Sequence, residues 1–123
     1  MLPIITDKAP KAVGPYSQAA LKNNNVFVSG TLGIDPVTNT MPEGFAEQAE
    51  LVFNNLKAIL EKAAMNFTHV VKVSIFLQDM NDFAALNELY ALQFKEPYPA
   101  RETVQVARLP KDAKIEISLI AMR

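Results

Sequence analysis

The sequence contains no cysteine and a single histidine, His69. The missing cysteines exclude disulfide bonds, thiol nucleophiles and thiolate metal ligands. A structural zinc site, or any other metal centre, is therefore not expected. A serine-hydrolase triad would have to use His69, and no nucleophile-elbow pattern accompanies it. We interpret His69 as an ordinary residue at the start of a strand.

The chain also lacks an excess of either charge, with 12 lysines and arginines against 13 aspartates and glutamates and a formal net charge of −1. Proteins dedicated to nucleic acid usually carry a basic excess, so a nucleic-acid partner is not expected. No apolar run approaches the length of a membrane span, and the N-terminus does not have the pattern of a signal peptide. The sequence thus predicts a soluble, cytoplasmic protein with no membrane partner; an organellar location after removal of a transit peptide stays open.

What is present is enough for one folded domain. The 123 residues fit a single domain covering 1–123, and the hydrophobic share of 50% lies at the upper end for a soluble chain. That much apolar surface is weak evidence that other subunits cover part of it.

Hydrophobic periodicity predicts six strands and two helices in the order β-β-β-α-β-α-β-β. The first helix is expected from Phe45 to Met65, ended by Asn66 in the left-handed conformation. A second helix, begun by Asp79 or Asn81, should carry an apolar stripe and be followed by two prolines. The predicted strands are, in chain order, 4–6, 17–21, 26–29, 70–78, an alternating run within 98–110 and the run 114–122, with a hairpin turn at 23–25. This order favours an α+β domain in which both helices cover one face of the sheet.

The other face of the sheet has no predicted cover within the chain. Phe27, Phe76 and Ile120 cannot all be buried by the two helices. We therefore expect this second face to be partly buried against other subunits.

Arg101 and Glu116 are the charged residues that most need an explanation. Each stands among apolar neighbours on a predicted strand, where an unpaired charge is costly. We expect the last two strands to form a hairpin through a turn at 109–112, and matching their apolar sides puts Arg101 and Thr103 on the face of Glu116. In that register the side chains of Arg101 and Glu116 can reach each other only when fully extended. A small anion bound between them fits the spacing at least as well as a direct ion pair.

Less specific interpretations are open for the same residues. Arg101 could cap the C-terminal end of the second helix or pair with Glu96, because structural ion pairs are common. Glu116 could be an outward-facing strand residue. Gly30 could bring its N–H close to an anion or simply end a strand. The GTLG segment that begins there lacks the spacing and the lysine of a phosphate-binding loop.

Several motifs, taken together and in order, resemble those of one family. They are VGPYSQA (13–19), VFVSGTLGIDP (26–36), the NDF…LN stretch ending at Asn87, PARETVQVARLPKDAKIEI (99–117) and the closing IA. On these motifs the chain resembles the RidA proteins of the YjgF family, the reactive-intermediate deaminases, over nearly its whole length. The 99–117 segment is the most specific part of the match.

The resemblance implies a fold, an assembly and a reaction. The fold is chorismate-mutase-like, of the bacillary type, with a mixed six-stranded sheet and two helices on one face. The assembly is a homotrimer with ligand clefts at the subunit interfaces. The reaction is the hydrolysis of 2-imino and 2-enamino acids, released by pyridoxal-phosphate enzymes, to 2-keto acids and ammonia, with no cofactor in the deaminase itself.

The resemblance also implies roles for individual residues. Arg101 corresponds to the arginine that binds the substrate carboxylate, and a planar guanidinium suits this task because it can hold both oxygens. Glu116 corresponds to the glutamate that positions and activates the attacking water. Tyr16 is the third residue that the resemblance places among the catalytic residues. Ser29 and Asn87 correspond to polar residues that line the cleft. Gly30 and Thr103 correspond to residues whose backbone groups contact the ligand.

Four residues depart from the common family pattern. Thr103 stands where many relatives have cysteine, although threonine also occurs there and a backbone contact would be kept. Glu102 replaces a small residue beside the arginine, Ser118 replaces a frequent second glutamate, and Thr31 replaces a frequent glutamine. The side chain of Glu102 should face away from Arg101. We expect these differences to affect substrate preference more than reaction type.

Two other functions are open at this stage. A non-catalytic protein that binds small carboxylates such as 2-ketobutyrate would use Arg101 in the same way, and Glu116 separates it from a hydrolase because only hydrolysis needs that residue. RNA cleavage or translational inhibition is known among relatives. The near-neutral charge and the absence of a paired histidine argue against the RNA function.

Overall fold

The chain folds in the predicted order of elements. The computed structural model describes residues 1–123 and contains six strands, two α-helices and three short 3-10 turns. The strands are β1 (Leu2–Ile4), β2 (Ala19–Lys22), β3 (Asn25–Leu32), β4 (Val70–Leu77), β5 (Ala100–Gln105) and β6 (Ile115–Met122), and the helices are α1 (Phe45–Lys62) and α2 (Phe83–Gln93). Neither helix is long and apolar enough to cross a membrane.

All six strands form one mixed sheet in the order β1-β2-β3-β6-β4-β5. Neighbouring strands are antiparallel except β4 and β5, which run parallel with Val73 beside Arg101 and Ile75 beside Thr103. The predicted hairpin of the last two strands is therefore wrong, because β4 lies between β5 and β6. The cause is α2, since a helix that joins two neighbouring strands returns the chain so that the second strand runs parallel to the first.

The core lies between the sheet and the two helices. On β6 the residues Ile115, Ile117, Leu119 and Ala121 are buried in alternation with half-buried residues on the opposite face. The stripe that α1 presents to this core follows helical spacing: Val52, Phe53, Leu56, Ile59 and Leu60. Burial of one such side chain contributes roughly 1.5–3 kcal/mol, so this layer is a main source of stability. The expected α+β architecture, with both helices on one face, is confirmed.

The opposite face of the sheet has no cover within the chain. Phe27 is 46% exposed there, opposite the half-buried Ile120 of β6. Phe76 is half-buried on the same face, opposite Glu116. Apolar side chains gathered on an open sheet face are typical of a surface that meets another subunit. Cover by a second subunit stays a prediction.

Two predicted caps have different roles in the structure. Helix α1 ends at Lys62, and the left-handed residue that follows it is Ala64 (φ 58°), not Asn66. Asn66 is extended and caps the 3-10 turn Phe67–His69, where its side chain accepts a hydrogen bond from the Thr68 N–H. Similarly, Asp79 accepts from the Asn81 N–H at the start of a 3-10 turn, and α2 begins only at Phe83. Short polar side chains cap such turns as readily as they cap α-helices.

Candidate active site

One cavity of about 640 Å³ gathers four of the residues named from the sequence. Tyr16, Ser29, Gly30 and Glu116 all line it. Its walls come from the loop before β2, the middle of β3, the first residues of β6 and the 3-10 turn at Pro110. Arg101, Asn87 and Thr103 are not among its lining residues, so a second group of site residues lies elsewhere.

Ser29 and Gly30 lie in a bulge of β3. The pairing of β3 with β6 shifts register between Val28 and Thr31, which leaves these two residues out of the regular ladder. Thr31 stabilises the bulge, because its buried hydroxyl donates to the Ser29 carbonyl at 2.9 Å. A bulge bends the strand and re-aims its groups, and it is a frequent feature beside active sites. Here it brings the backbone of Gly30 against the carboxylate of Glu116.

Glu116 carries the cavity's only carboxylate. Its side chain lies on the sheet face opposite the core and is half-buried. Neither of the chain's two ion pairs involves it. Burial raises the pKa of this carboxyl group above its ordinary value. A carboxylate that is raised in pKa and faces a cavity is a better proton acceptor than an exposed one, and it can return the proton later.

Gln18 fixes the loop that forms one wall of the cavity. Its buried side-chain amide accepts from the Thr6 N–H at 2.8 Å and donates to the Thr6 carbonyl at 3.0 Å and the Pro10 carbonyl at 2.7 Å. Buried polar groups of this kind are costly unless they are bonded, so the loop is held in one arrangement. Sequence analysis missed this residue, although it stands inside the VGPYSQA motif.

Tyr16 and Ser29 use their hydroxyl groups differently. The Tyr16 oxygen accepts a hydrogen bond from the Val13 N–H at 3.4 Å, which leaves the hydroxyl proton free to donate into the cavity. The Ser29 hydroxyl donates to the Ser17 carbonyl at 2.6 Å, so only its lone pairs remain for a ligand. Tyr16 is therefore the better donor of the two.

Arg101 lies in the second group of site residues, on β5 beneath α2. Its guanidinium carbon is 4.7 Å from the ring centroid of Tyr90 and 5.7 Å from that of Phe83. It takes part in no ion pair, with Glu96 or with any other carboxylate. The end of α2 is served by another residue, because Lys95 Nζ donates to the Ala91 carbonyl. The two structural roles considered for Arg101 are therefore not seen.

Asn87 and Thr103 lie beside Arg101. Asn87 stands between Phe83 and Tyr90 at helical spacing, so it shares the face of α2 that meets the guanidinium. The Val106 N–H points toward β4, where it donates to the Leu77 carbonyl. Along a strand the backbone N–H and C=O groups of successive residues point to alternate edges, so those of Thr103, three residues earlier, point away from β4. They therefore lie at the open edge of the sheet. The Thr103 hydroxyl is buried without a partner. Its backbone is thus the part of Thr103 that a ligand can reach.

Arg101 and Glu116 lie on opposite faces of the sheet, so their predicted shared face is wrong. In the parallel register Arg101 is beside Val73, which faces the core, whereas Val104 is beside Phe76 on the face of Glu116. The error follows from the missing hairpin, because pairing β5 with β6 directly would have reversed which residues share a face. The residues predicted for one site therefore lie in two separate groups, which we call half-sites: Tyr16, Ser29, Gly30 and Glu116 at the cavity, and Asn87, Arg101 and Thr103 beside α2.

Glu102 faces away from Arg101, as expected. Its carboxylate pairs with Lys72 Nζ at 2.6 Å and accepts a hydrogen bond from the Ser74 hydroxyl. The bond from Lys72, followed by that from Ser74, lowers the pKa of Glu102. Glu102, the carboxylate nearest to Arg101 in the sequence, is therefore bonded to Lys72 and Ser74 on the other face of the sheet and does not pair with Arg101.

The remaining titratable residues do not form a further centre. No group of three or more histidine, aspartate or glutamate side chains is close enough together to hold a metal ion. His69 is the last residue of the 3-10 turn before β4, and its Nδ1 accepts from the Asn66 N–H. This bond gives His69 a structural role, but the predicted position at the start of the strand is off by one residue, because β4 begins at Val70. Lys11 and Lys111 also line the cavity, a position that sequence analysis did not assign to them.

Comparison with known proteins extends over the whole domain. A 2-iminobutanoate/2-iminopropanoate deaminase of the goat Capra hircus is 45% identical over 121 residues, covering 98% of this chain and 88% of the relative. The crystal structure of RidA from an Antarctic Psychrobacter species superposes with a TM-score of 0.97 at 51% identity and full coverage of both chains. The E. coli protein TdcF, solved with bound serine, has a TM-score of 0.95 at 43% identity, covering 100% of this chain and 99% of that one.

The same assignment follows from the family model described as endoribonuclease L-PSP, which matches residues 6–123. With the match spanning both groups of candidate site residues and every strand of the sheet after β1, the chain belongs to the endoribonuclease L-PSP family, the family of the YjgF and RidA proteins.

Proposed function

We propose that this protein hydrolyses 2-imino acids, and the enamines that interconvert with them, to 2-keto acids and ammonia. The observation that carries the proposal is the unpaired Arg101 guanidinium, which no internal carboxylate neutralises. A relative 45% identical to this chain bears the name 2-iminobutanoate/2-iminopropanoate deaminase. A second relative was solved with bound serine, a small molecule that carries a carboxylate. Both findings support a small 2-imino acid as the substrate.

The complete site in this proposal is built by two copies of the chain. Arg101 and Glu116 face opposite sides of the sheet, so one copy cannot place both against a molecule of three or four carbons. The open face that bears Glu116 also exposes apolar side chains such as Phe27. A second copy that covers this face can bring its own Arg101, Asn87 and Thr103 to the cavity. A closed ring of three copies repeats that contact three times, which is the homotrimer implied by the family resemblance.

Binding comes first in the mechanism. The guanidinium of one copy holds both oxygens of the substrate carboxylate, and the open-edge backbone of Thr103 lies two residues along the same strand. Fixing the carboxylate leaves the C2 carbon directed at the cavity of the neighbouring copy. Such orientation removes a large part of the entropic cost of the reaction.

Water addition follows from the position of Glu116. The Glu116 carboxylate takes a proton from a water molecule as the water oxygen bonds to C2 of the protonated imine. The C–N double bond becomes a single bond, giving a carbinolamine. Glu116 returns the proton to the nitrogen, and the C–N bond breaks as the carbinolamine hydroxyl gives its proton to the Glu116 carboxylate and becomes the C2 carbonyl. The Glu116 carboxyl group passes this proton to the departing ammonia, which leaves as ammonium. One water is consumed, and the carboxylate ends as it began.

The electrophile is already activated in this reaction, so the demands on the protein are small. A protonated imine carbon reacts with water without a covalent nucleophile, and the chain offers neither a cysteine nor a serine–histidine pair. We propose Tyr16 as a donor that stabilises, from the cavity wall, the water oxygen that adds to C2. Pyridoxal-phosphate enzymes that eliminate water or ammonia from amino acids are the class of reaction that supplies such substrates. The cytoplasmic location stays a prediction.

A non-catalytic carboxylate-binding protein is the second candidate. The bound serine in a relative favours it equally, because binding of a carboxylate needs only the Arg101 half-site. The position of Glu116 favours the hydrolase, since a receptor for carboxylates gains nothing from a half-buried acidic group in its cavity. An RNA-directed activity has less support, because the only histidine is bonded within a turn.

The experiment that tests the proposal generates imines in situ and follows their loss. An amino-acid oxidase or a dehydratase supplies the imine, semicarbazide traps what is not hydrolysed, and the trapped product is measured with and without this protein. Arg101→Ala should abolish both hydrolysis and 2-ketobutyrate binding, while Glu116→Gln should abolish hydrolysis alone. The matched controls are Arg108→Ala, at an exposed arginine, and Glu50→Gln, at an exposed glutamate. Normal turnover by Arg101→Ala would refute the proposed role.

A further inference from the structure

The guanidinium of Arg101 is flanked by two aromatic rings from α2. The distances of 4.7 Å to the centroid of Tyr90 and 5.7 Å to that of Phe83 are within the range of cation–π contacts. Tyr90 is itself fixed, because it stacks on Phe94 at 4.5 Å and meets the edge of Phe53 at 6.4 Å. The guanidinium therefore rests on a platform that belongs to the core.

Contacts of this kind leave the hydrogen-bond donors of arginine free. An arginine has five N–H groups, and a carboxylate partner would use two of them and cancel the charge. Aromatic faces attract the cation through their π electrons and accept no hydrogen bond in its plane. Two residues of the protein thus orient Arg101 while its charge and its planar fork stay available.

Phe83 has no other evident task. Its side chain is 38% exposed, so it adds little to the core. It is the first residue of α2, one turn before Asn87 and two turns before Tyr90. A leucine there would serve the helix equally well, since leucine is the better helix former. What the phenylalanine ring adds is an aromatic face that contacts the Arg101 guanidinium.

Resting on the proposed function, we infer that Phe83 and Tyr90 are positioning residues, an aromatic cradle that holds Arg101 ready for a substrate carboxylate. The cradle acts on binding and not on the proton transfers, which belong to the other half-site. Loss of one ring should therefore weaken carboxylate binding and raise KM, while kcat changes little.

Phe83→Leu is the decisive variant, because an exposed site tolerates the change without unfolding. We expect the Kd for 2-ketobutyrate and the KM for the imine to rise about two- to fivefold, the range of one partly exposed cation–π contact. Phe83→Tyr should restore both values, because it restores the ring. Leu92→Ala, at a residue of the same helix that is 70% exposed, should leave both values unchanged.

A spectroscopic measurement on the ligand-free assembly tests the cradle without any activity. The chain has three arginines, Arg101, Arg108 and Arg123, so a ¹⁵N-labelled sample gives three Nε–Hε signals. Ring currents should move the Arg101 signal upfield of the Arg108 signal, and Phe83→Leu should move it part of the way back. An Arg101 signal that coincides with that of Arg108 in the wild type would overturn the inference.

The outcomes separate this inference from the proposed function. If Arg101→Ala loses 2-ketobutyrate binding while Phe83→Leu binds as the wild type does, the cradle is wrong and the proposed function stands. If Arg101→Ala itself binds 2-ketobutyrate normally, the proposed function fails, and the role of the cradle in binding fails with it.

Discussion

The carboxylate of Glu116 lies against the backbone of Gly30, where a Cβ atom would stand 2.8 Å from Cδ and 2.9 and 3.0 Å from the two carboxylate oxygens. Real Cβ atoms avoid contacts this short, so any side chain at position 30 must displace the carboxylate. The bulge of β3 sets this approach, because it moves Gly30 out of the regular ladder with β6. The glycine therefore reserves the space in which Glu116 is held.

Gly30→Ala should impair activity more than stability. The atoms that the new methyl group meets are the far end of a flexible side chain, which can rotate away at small cost. A displaced carboxylate no longer aligns the attacking water, and a misplacement of about 1 Å can cost about 10²-fold in rate. We expect kcat to fall by roughly that factor, with the Kd for 2-ketobutyrate nearly unchanged. Steady-state kinetics and a binding titration check this.

Gly33→Ala should behave in the opposite way and serves as the matched comparison. A Cβ at position 33 would stand 2.3 Å from the carbonyl oxygen of Gln48 and 2.7 Å from its Cα, both backbone atoms at the start of α1. Backbone cannot move aside as a side chain can, so the strain should cost about 1–3 kcal/mol of unfolding free energy. Urea unfolding measures it. Equal stability losses for the two alanine variants would contradict the distinction drawn between positions 30 and 33.

The pH dependence of kcat/KM should show the raised pKa of Glu116. Burial of this carboxyl group raises its pKa, and only the ionised form can accept a proton from water. Activity should therefore fall as the pH drops through a value above the ordinary pKa of glutamate. The measurement is kcat/KM from pH 4 to 8 in roughly half-unit steps, with imine protonation determined separately. An acid limb at or below the ordinary glutamate value would contradict the assignment.

The raised pKa of Glu116 also predicts how the free energy of unfolding changes with pH. The sign is opposite to that of a salt-bridged carboxylate, whose pKa is lowered on folding. Between the ordinary and the raised pKa of Glu116, the folded protein binds more protons than the unfolded protein does. Stability therefore falls as the pH rises through this window. Glu116→Gln removes the titration, so the variant should lose less stability than the wild type on going from acid to neutral pH. Chemical unfolding at several pH values compares the two slopes.

Sequence reasoning predicted the elements well because each depends on local pattern. The alternation of Ile115, Ile117 and Leu119 marks β6 without knowledge of its neighbours, and the stripe of α1 marks a helix. Pairing is a different matter, because it depends on residues distant in the chain. Nothing in the run from Arg101 to Gln105 states that its partner is β4, 28 residues earlier in register. The hairpin error followed from assuming that consecutive strands pair.

For the candidate site, the sequence proposed which residues take part but not how they are arranged. Family motifs identified Arg101 and Glu116, whereas their arrangement on two sheet faces required the strand order. Gln18 and Phe83 were missed because each acts through another residue, and a supporting contact leaves no signature in composition or spacing. Gln18 stands within the VGPYSQA motif and Phe83 within the NDF…LN stretch.

Tyr90→Phe should stabilise the protein. The Tyr90 hydroxyl is buried without a hydrogen-bond partner, and desolvation of such a group costs about 1–3 kcal/mol. Burial, partly offset by Arg101, also raises its pKa, so the group stays neutral. Phenylalanine keeps the ring contacts and removes the unpaired group, so we expect about 1 kcal/mol of added unfolding free energy. Urea unfolding at fixed protein concentration measures it. A loss of stability would mean that the assembled protein supplies a partner for this hydroxyl.

A mixing experiment tests whether two copies build each site. Arg101→Ala and Glu116→Gln chains, each inactive alone, are unfolded together in equal amounts and refolded. If a site takes Arg101 from one copy and Glu116 from its neighbour, about one quarter of sites receive both wild-type residues, and activity returns to about that fraction. If each copy held a complete site, the mixture would stay inactive.

The control mixture uses wild-type chains and chains that carry both substitutions. Sites shared between copies retain about one quarter of the activity after random mixing, whereas sites within one copy retain about one half. The two mixtures thus give matching values only for a shared site. That agreement cannot arise from a folding defect, because a folding defect would lower the activity of each mixture by a different amount. Since Arg101 and Glu116 face opposite sides of the sheet, we expect about one quarter in both.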